Sequence, residues 1–195
     1  MVTTDEKLYT IAEYFEREKH SDEKWEYNDG IITKMAGATF IHNLIASNLI
    51  TILNNALENK EKQYMVLNSD MKISIPKENK YVYPDAVVIC EKPELYNNRQ
   101  DIIVNPLLIV EVLSFGTEEY DRNGKFGAYK TIPSFQEYVM VKQYAPAVTA
   151  SYKIADRTWQ DTDAEGVDQT IYLRSLDVTL DLKRIYKGVT FREQV

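Results

Sequence analysis

Two dense apolar runs, each interrupted by a single carboxylate, limit the folds open to this chain more than any other feature of its sequence. Asp85 lies within the run at residues 81–90, and Glu111 lies within the run at residues 107–113. Short apolar runs of this kind predict buried β-strands. Burying a charged carboxylate costs several kcal/mol unless it is paired or coordinated. Two neighbouring strands could direct both acids to one cation, whereas the alternative is that each acid faces solvent or pairs with an arginine.

Periodicity in the first half of the chain predicts further elements. Apolar alternation at residues 71–75 indicates a third strand, and we expect the three strands to share one sheet. Thr10 and Glu13 form a possible capping box for a helix that ends near Lys19. The Asp-Gly step at residues 29–30 favours a tight hairpin turn between two short strands.

The remaining pattern predicts a mixed α/β (α+β) fold. Apolar residues at spacings of three and four indicate a long helix from Ile41 to Leu57, and residues 118–130 indicate another helix. A strand is predicted at residues 137–141, with weaker strand candidates at 148–154, 170–174 and 178–180. We therefore expect a mixed central sheet flanked by helices, with a β-rich C-terminal extension.

Length and composition indicate one domain over residues 1–195, with a motif-bearing core at about 8–145 and the extension at about 146–190. No secretory signal or bilayer-length apolar run is visible in the sequence, and the single Cys90 suits a reducing compartment. We expect a cytoplasmic protein with no membrane partner. The formal net charge of −7 argues against a nucleic-acid partner, because lysine and arginine normally drive phosphate binding.

Three longer motifs carry a resemblance to a known family. Residues 83–89 (YPDAVVI), 106–114 (PLLIVEVLS) and 121–129 (DRNGKFGAY) resemble the Uma-type restriction endonucleases, which belong to the PD-(D/E)xK nuclease superfamily. The similarity also includes residues 25–30 and His42, and it covers roughly residues 8–145. It implies a restriction-endonuclease-like fold and an endonuclease that uses Mg²⁺, or Mn²⁺ as a substitute. The implied partner is nucleic acid, with DNA expected.

The resemblance also implies a catalytic set. Asp85 and Glu111 would ligate magnesium together with the Val112 carbonyl. The superfamily places a lysine two positions after the second acid, but this chain has Leu113 there. The Uma-type family uses a lysine on the following helix, which corresponds to Lys125. A further acid that precedes the hairpin turn, Glu26, is expected to add a ligand or to accept a hydrogen bond near the metal, unless it is a solvated hairpin carboxylate.

Other residues could join this set. Asp121, Lys125 and Tyr129 lie at steps of four, so they share one helical stripe that could face the carboxylates. The alternative is an ordinary exposed ion pair between Asp121 and Lys125. His42 borders the apolar face of the long helix, where it could bind phosphate or a ligand residue, or instead cap or pack the helix. Asp70 is expected to be a strand-end or turn residue.

Two classes of function remain open. The first is hydrolysis of phosphodiester bonds in nucleic acid. The second is a nuclease-like module that binds nucleic acid or a protein without cutting, which Leu113, Gly124, Gly127 and the acidic net charge favour. A homodimer formed through the tyrosine-rich C-terminal strands is compatible with both. Two separated histidines and one cysteine do not support a closed zinc site, and no phosphate-binding glycine loop or serine nucleophile motif is present in the sequence.

Overall fold

The structure is a computed structural model that describes residues 7–191, so both ends of the predicted 1–195 domain lie outside the described residues. The α-helices are α1 Ile11–Lys19, α2 Phe40–Leu57, α3 Phe126–Tyr129 and α4 Leu182–Ile185. A π-helical segment, Tyr120–Lys125, leads directly into α3, and 3₁₀ turns occur at Pro76–Glu78 and Tyr96–Asn98.

The strands form three sheets. Their bounds are β1 Trp25–Asn28, β2 Ile31–Lys34, β3 Tyr64–Asn68, β4 Lys72–Ile75, β5 Lys80–Val82, β6 Ala86–Cys90, β7 Ile102–Ile103, β8 Leu108–Leu113, β9 Glu137–Lys142, β10 Ala147–Ala155, β11 Thr158–Glu165, β12 Thr170–Leu173 and β13 Val178–Asp181. The larger sheet has six strands in the order β11-β10-β9-β8-β6-β3. The smaller sheet has five strands in the order β2-β1-β5-β4-β7, and β12 and β13 form a separate two-stranded sheet. In the larger sheet β8 and β9 are parallel, whereas the other pairs are antiparallel.

The N-terminal predictions agree with the structure. The capping box of α1 is present, with Thr10 Oγ1 accepting from the Glu13 backbone and the Glu13 carboxylate accepting from Thr10. Asp29 and Gly30 both have positive φ, at 46° and 96°, which is the backbone that the tight turn between β1 and β2 requires. Helix α1 packs on the smaller sheet through an aromatic cluster that includes the fully buried Tyr14.

The larger sheet is covered on both faces. One face packs against α2 through Ile45 and neighbouring apolar residues that contact Val110 and Val112. The other face packs against the π-helical segment and α3, where Phe126 and Tyr129 join a core with Ile109, Leu113 and Tyr138. Side chains alternate between these two faces along each strand. Asp85, which directly precedes β6, and Glu111 of β8 are therefore directed to the same side of the sheet.

The prediction of three strands in one sheet is wrong. The run at residues 81–90 is two strands, because Pro84 cannot donate to a ladder and the chain crosses there from β5 to β6. The predicted strand at residues 71–75 corresponds to β4, which lies in the smaller sheet with β5, whereas β6 and β8 lie in the larger sheet. Strand β3 was not predicted, although it pairs with β6 along its whole length.

The C-terminal region is more closely integrated than the prediction of an extension implies. Strands β10 and β11 continue the larger sheet beyond β9, and α4 packs on α2, where Asn48 Nδ2 donates to the Ile185 carbonyl at 2.9 Å. Strand β11 was missed because most of its residues are polar and exposed. Among residues 7–191, no helix is both long enough and apolar enough to cross a bilayer.

Candidate active site

The candidate site forms where the chain crosses between the two larger sheets, since residues 83–85 link β5 to β6. The Leu107 and Leu113 carbonyls accept hydrogen bonds from the β9 side. The N–H and C=O of one residue point to the same side of a strand and successive residues alternate, so the N–H and C=O of Val112 face the β6 side. The last pair there is Ala86 with Val110, so β6 has not yet begun opposite Val112. Asp85 Oδ2 occupies this gap and accepts the Val112 N–H at 2.7 Å.

Glu111 lies on the same face of the sheet as Asp85. Side chains alternate along a strand, and both acids occur at alternate positions with residues that pack against α3. The Glu111 side chain is buried, with 3% of the residue exposed. Its Oε1 lies 3.2 Å from Lys125 Nζ and accepts the Tyr129 hydroxyl at 3.0 Å. The carboxylate is thus held by a cation and a neutral donor from the helix above, and no arginine contacts it in the described structure.

Lys125 is the centre of a cluster of charged side chains formed with Glu26, Asp85, Glu111 and Asp121. Its Nζ lies 3.2 Å from Glu111, 3.3 Å from Glu26 and 3.7 Å from Asp121. Asp121 and Lys125 are both buried, so the alternative of an exposed ion pair is wrong. Both residues belong to the π-helical segment, a conformation that is frequent at functional sites. Asp121, Lys125 and Tyr129 therefore all point to the same centre.

Gly124 has a packing role that the sequence did not indicate. A Cβ at this position would lie 2.6 Å from the Tyr120 ring, so only glycine lets the ring lie against the backbone here. The Tyr120 ring in turn lies 6.0 Å from Lys125 Nζ. Gly124 therefore supports the segment that carries Lys125, and its presence does not argue against a functional helix.

Glu26 reaches the cluster from the other sheet. It lies on β1, and its Oε1 accepts the Tyr83 N–H at 3.1 Å in addition to contacting Lys125. The Glu26 side chain is 16% exposed, so it is not the solvated hairpin carboxylate of the alternative interpretation. Because Tyr83 opens the crossover that carries Asp85, Glu26 ties the two sheets together at the site.

His42 contacts the site from the beginning of α2. Its Nε2 lies 3.2 Å from Asp85 Oδ2, and its buried Nδ1 has no partner among residues 7–191. Thr39 is the residue that caps α2, by accepting from the His42 N–H at 3.2 Å, so His42 is not itself the cap. Burial lowers the pKa of His42, but the hydrogen bond and negative charge of Asp85, together with Asp121 and the Val112 backbone, outweigh it, so the net shift is upward.

The cluster has a surplus of negative charge. Four carboxylates, from Glu26, Asp85, Glu111 and Asp121, surround one lysine, which gives a formal charge of −3 when His42 is neutral. Burial raises the pKa of Glu111 well above its usual range, and it also raises the pKa of Asp121. Burial alone would lower the pKa of Lys125, but the carboxylates, led by Glu111, raise it well above its usual value. This environment stabilises added positive charge.

The donor set fits a hard divalent cation with an open coordination sphere. Asp85 Oδ1 and Glu111 Oε2 accept no hydrogen bond from any described residue, and the Val112 carbonyl faces the same gap as Asp85. Within residues 7–191 no three acidic, histidine or cysteine side chains are already arranged to hold a metal ion. Magnesium does not require such a cage, because it binds through one or two carboxylates and keeps several waters for substrate oxygens to replace.

Some predicted candidates lie elsewhere, and one supporting group was missed. Asp70 pairs with Lys24 at the surface, and Leu113 is fully buried in the core. Lys72 is 1% exposed and pairs with Glu18, which also accepts the Tyr83 hydroxyl at 2.9 Å. Lys72 lies on β4, a central strand whose residues are buried on both faces, so the alternation at residues 71–75 does not separate a buried face from an exposed one.

The chain is similar in sequence to one protein family and to two proteins of Synechocystis sp.. The sequence model of a family described as "Uma2: Putative restriction endonuclease" matches residues 11–183. "Uncharacterized protein sll1609" of Synechocystis sp. is 40% identical over 171 residues, which are 88% of this chain and 96% of that protein. "Uncharacterized protein slr1290" of the same organism is 34% identical over 179 residues, which are 92% of each chain.

A solved structure shares the fold. The crystal structure of "a putative nuclease belonging to DUF820" from Anabaena variabilis superposes with a TM-score of 0.71 at 14% identity, covering 91% of this chain and 97% of that chain. This likeness confirms the predicted mixed sheet flanked by helices. The family match continues well past residue 145, so the similarity includes the C-terminal strands that the sequence motifs did not reach.

Proposed function

Because the chain belongs to the Uma2 restriction endonuclease family, we propose that it is a metal-dependent endonuclease that hydrolyses phosphodiester bonds in nucleic acid, with DNA as the expected substrate. The observation that carries this proposal is the meeting of Asp85 and Glu111 on one face of the sheet beside the buried ammonium of Lys125. A purely structural pair of strand carboxylates would not need a surplus of negative charge around one lysine.

The metal of this proposal is Mg²⁺, with Mn²⁺ as a substitute. Asp85, Glu111 and the Val112 carbonyl would hold it through oxygen, which is the donor that both ions accept. When bound, the ion supplies a Lewis acid that polarises the scissile phosphate and makes water a better nucleophile at neutral pH. The surplus charge of the cluster favours such a divalent cation.

The protein residues have distinct proposed roles in positioning and charge. Lys125 would hold the attacking water or a phosphate oxygen and stabilise negative charge in the transition state. Glu26 and Asp121 fix its ammonium, and Tyr129 fixes the Glu111 carboxylate by donating to Oε1. These groups are fixed before substrate arrives, so little reorganisation would be needed at the moment of reaction.

His42 has a proposed role in positioning Asp85. Its Nε2 lies 3.2 Å from Asp85 Oδ2, the same oxygen that accepts the Val112 N–H. These two contacts engage one oxygen of Asp85, and the other, Oδ1, accepts no hydrogen bond from a described residue. His42 would also present positive charge to a phosphate when it is protonated.

The test is cleavage of plasmid and single-stranded DNA with Mg²⁺ or Mn²⁺, comparing the wild type with Asp85→Asn and Glu111→Gln. Asp70→Asn is the matched control, because it neutralises an exposed carboxylate that pairs with the half-buried Lys24 and accepts a hydrogen bond from Asn68, away from the candidate site. We expect cleavage in the wild type and in the control, with at least a hundredfold loss in both site variants. Equal rates in all four folded proteins, or no metal-dependent cleavage at all, would contradict the proposal.

A binding module without catalysis is the second candidate. Two observations favour it: Leu113 is buried where the superfamily has its lysine, and the net charge is −7. Calorimetric titration with Mg²⁺ discriminates between the candidates. An enzyme is expected to bind the ion and to lose that affinity in Asp85→Asn, whereas a binding module that shows no such affinity would still retain nucleic acid or a protein partner.

A further inference from the structure

Three large aromatic side chains that lie close in the chain to residues of the candidate site are exposed. Phe40 is 79% exposed, Phe115 is 70% exposed and Tyr120 is 39% exposed. Phe40 precedes His42 by two residues, Phe115 follows Val112 by three, and Tyr120 adjoins Asp121 in the chain. Large rings are normally removed from water, and exposed apolar groups that cluster beside a polar site mark a surface that binds something.

Two contacts bring the segments that carry Phe40 and Phe115 together. The Phe115 ring stacks on Tyr144, with 4.0 Å between ring centroids and 14° between ring planes. The residue before Tyr144, Gln143, accepts a hydrogen bond of 2.8 Å from Thr39, the residue before Phe40. The beginning of α2 therefore touches the end of β9. We refer to Phe40, Phe115, Tyr120 and Tyr144 as the aromatic rim.

Charge decides what the rim can bind. Two basic groups lie near it: Arg122, which is paired with Glu118, and Lys142, whose Nζ lies 5.8 Å from the Tyr144 ring centroid. With a net charge of −7, the chain is poorly suited to grip a duplex through its phosphates alone. Stacking of bases on aromatic rings supplies affinity that does not depend on protein charge.

We propose that the aromatic rim stacks on unpaired bases, so that the substrate is a nucleic-acid strand with unpaired bases at the site and not an intact duplex. This inference rests on the proposed nuclease function and specifies its substrate class. In a duplex the base faces are covered by neighbouring bases, whereas an unpaired strand offers them to protein rings. A second copy of the chain bound to the rim would compete with substrate for the surface beside the candidate site, so nucleic acid is the occupant that agrees with the proposed function.

The experiment measures binding of full-length protein by fluorescence anisotropy, in EDTA so that no cleavage occurs. The probes are labelled oligo(dT), oligo(U) and a DNA duplex of the same length. We expect both single strands to bind more tightly than the duplex. The ratio of the affinities for oligo(dT) and oligo(U) identifies DNA or RNA as the preferred strand. Phe40→Ala and Phe115→Ala are each expected to weaken single-strand binding roughly fivefold to a hundredfold.

Two further variants separate stacking from general apolar contact. Phe115→Leu keeps apolar area but has no ring face, so it is expected to resemble Phe115→Ala, whereas Phe115→Trp is expected to bind at least as well as the wild type. The fluorescence of that tryptophan should be quenched when a base stacks on it. Tyr172→Ala is the matched control, because Tyr172 is 46% exposed on β12 and lies outside the site elements.

Several outcomes would overturn the inference. Equal affinity for duplex and single strands, or rim variants that bind single strands as the wild type does, would exclude stacking. A concentration-dependent dimer that Phe40→Ala or Phe115→Ala dissolves would assign the rim to a second copy. Failure of the proposed function is distinguishable from failure of this inference. If single strands bind but no metal-dependent cleavage occurs, the proposed catalysis is excluded. If duplex is cleaved and the rim variants cleave it at the wild-type rate, only the stacking inference is excluded.

Discussion

Replacing Lys125 by methionine tests the central arrangement of the site. Methionine keeps the apolar stem and removes the ammonium, which lies within 4 Å of three carboxylates, those of Glu111, Glu26 and Asp121. Removing one partner of a buried ion pair typically costs about 3–5 kcal/mol, because the remaining charge is left uncompensated. For a domain of this size the expected fall in Tm is roughly 6–20 °C. The free-energy cost is a large share of a total stability of about 5–15 kcal/mol.

The sign of the pH dependence follows from the carboxylates. Burial already raises the pKa of Glu111 above its unfolded value of 4.5, and removal of Lys125 removes the influence that lowers it. A carboxyl group with a raised pKa in the folded state contributes stability at low pH, and that contribution is lost as the pH rises through the folded pKa. The destabilisation in Lys125→Met is therefore expected to be smaller at pH 5 than at pH 8.

Thermal unfolding in EDTA at these two pH values measures the effect, and repeating the melts with Mg²⁺ tests the charge argument. A cation that binds only the folded state raises Tm, and it should raise that of Lys125→Met more than that of the wild type. Cleavage is expected to be lost even where the variant is folded. Lys130→Met is the control, since Lys130 ends the same helical region but is exposed. A pH-independent change below about 1 kcal/mol would refute the reasoning, because that is the range of an exposed ion pair.

Three further perturbations have defined outcomes in urea or thermal unfolding. Lys72→Met should lower the free energy of unfolding by about 3–5 kcal/mol, because Glu18 is left without its partner. The double variant Lys72→Met/Glu18→Met should recover most of that loss, because both charges are then removed. An equal loss of stability in both proteins would contradict this. Glu137 is fully buried and accepts from two backbone N–H groups and one hydroxyl, so Glu137→Ala should cost at least about 1.5–3 kcal/mol. Thr10→Ala removes the helix cap and should cost about 1 kcal/mol, and no change would mean that the cap contributes nothing.

Local patterns in the sequence were sufficient for the elements that local physics determines. The capping box at Thr10 and the Asp-Gly turn at residues 29–30 depend only on neighbouring residues, and both are present. The step of four that joins Asp121, Lys125 and Tyr129 also placed these residues on one side, although the segment is π-helical and not α-helical. The family resemblance then identified the residues that the structure brings together, whose catalytic roles remain predictions.

The division into two sheets could not be obtained in the same way. Hydrophobic pattern measures how deeply a segment is buried but not which strand it pairs with, so β4, β5 and β6 looked like neighbours in one sheet. Pro84 was the only local signal of the crossover between β5 and β6, and a proline also fits the first position of a strand. The contact of Glu26 with Lys125 joins residues 99 positions apart and depends on that crossover.

The position of the lysine explains how the site can depart from the superfamily pattern without losing its charge. Residues 111 and 113 of β8 point to the same face, so a lysine at 113 would extend beside Glu111 along the strand. Leu113 instead fills the apolar core, and Lys125 reaches Glu111 from the helical layer that covers this face. The ammonium therefore arrives at the same carboxylate from a different element. Because that element also carries Asp121 and Tyr129, its position relative to β8 sets the charge and the hydrogen bonding of Glu111 together.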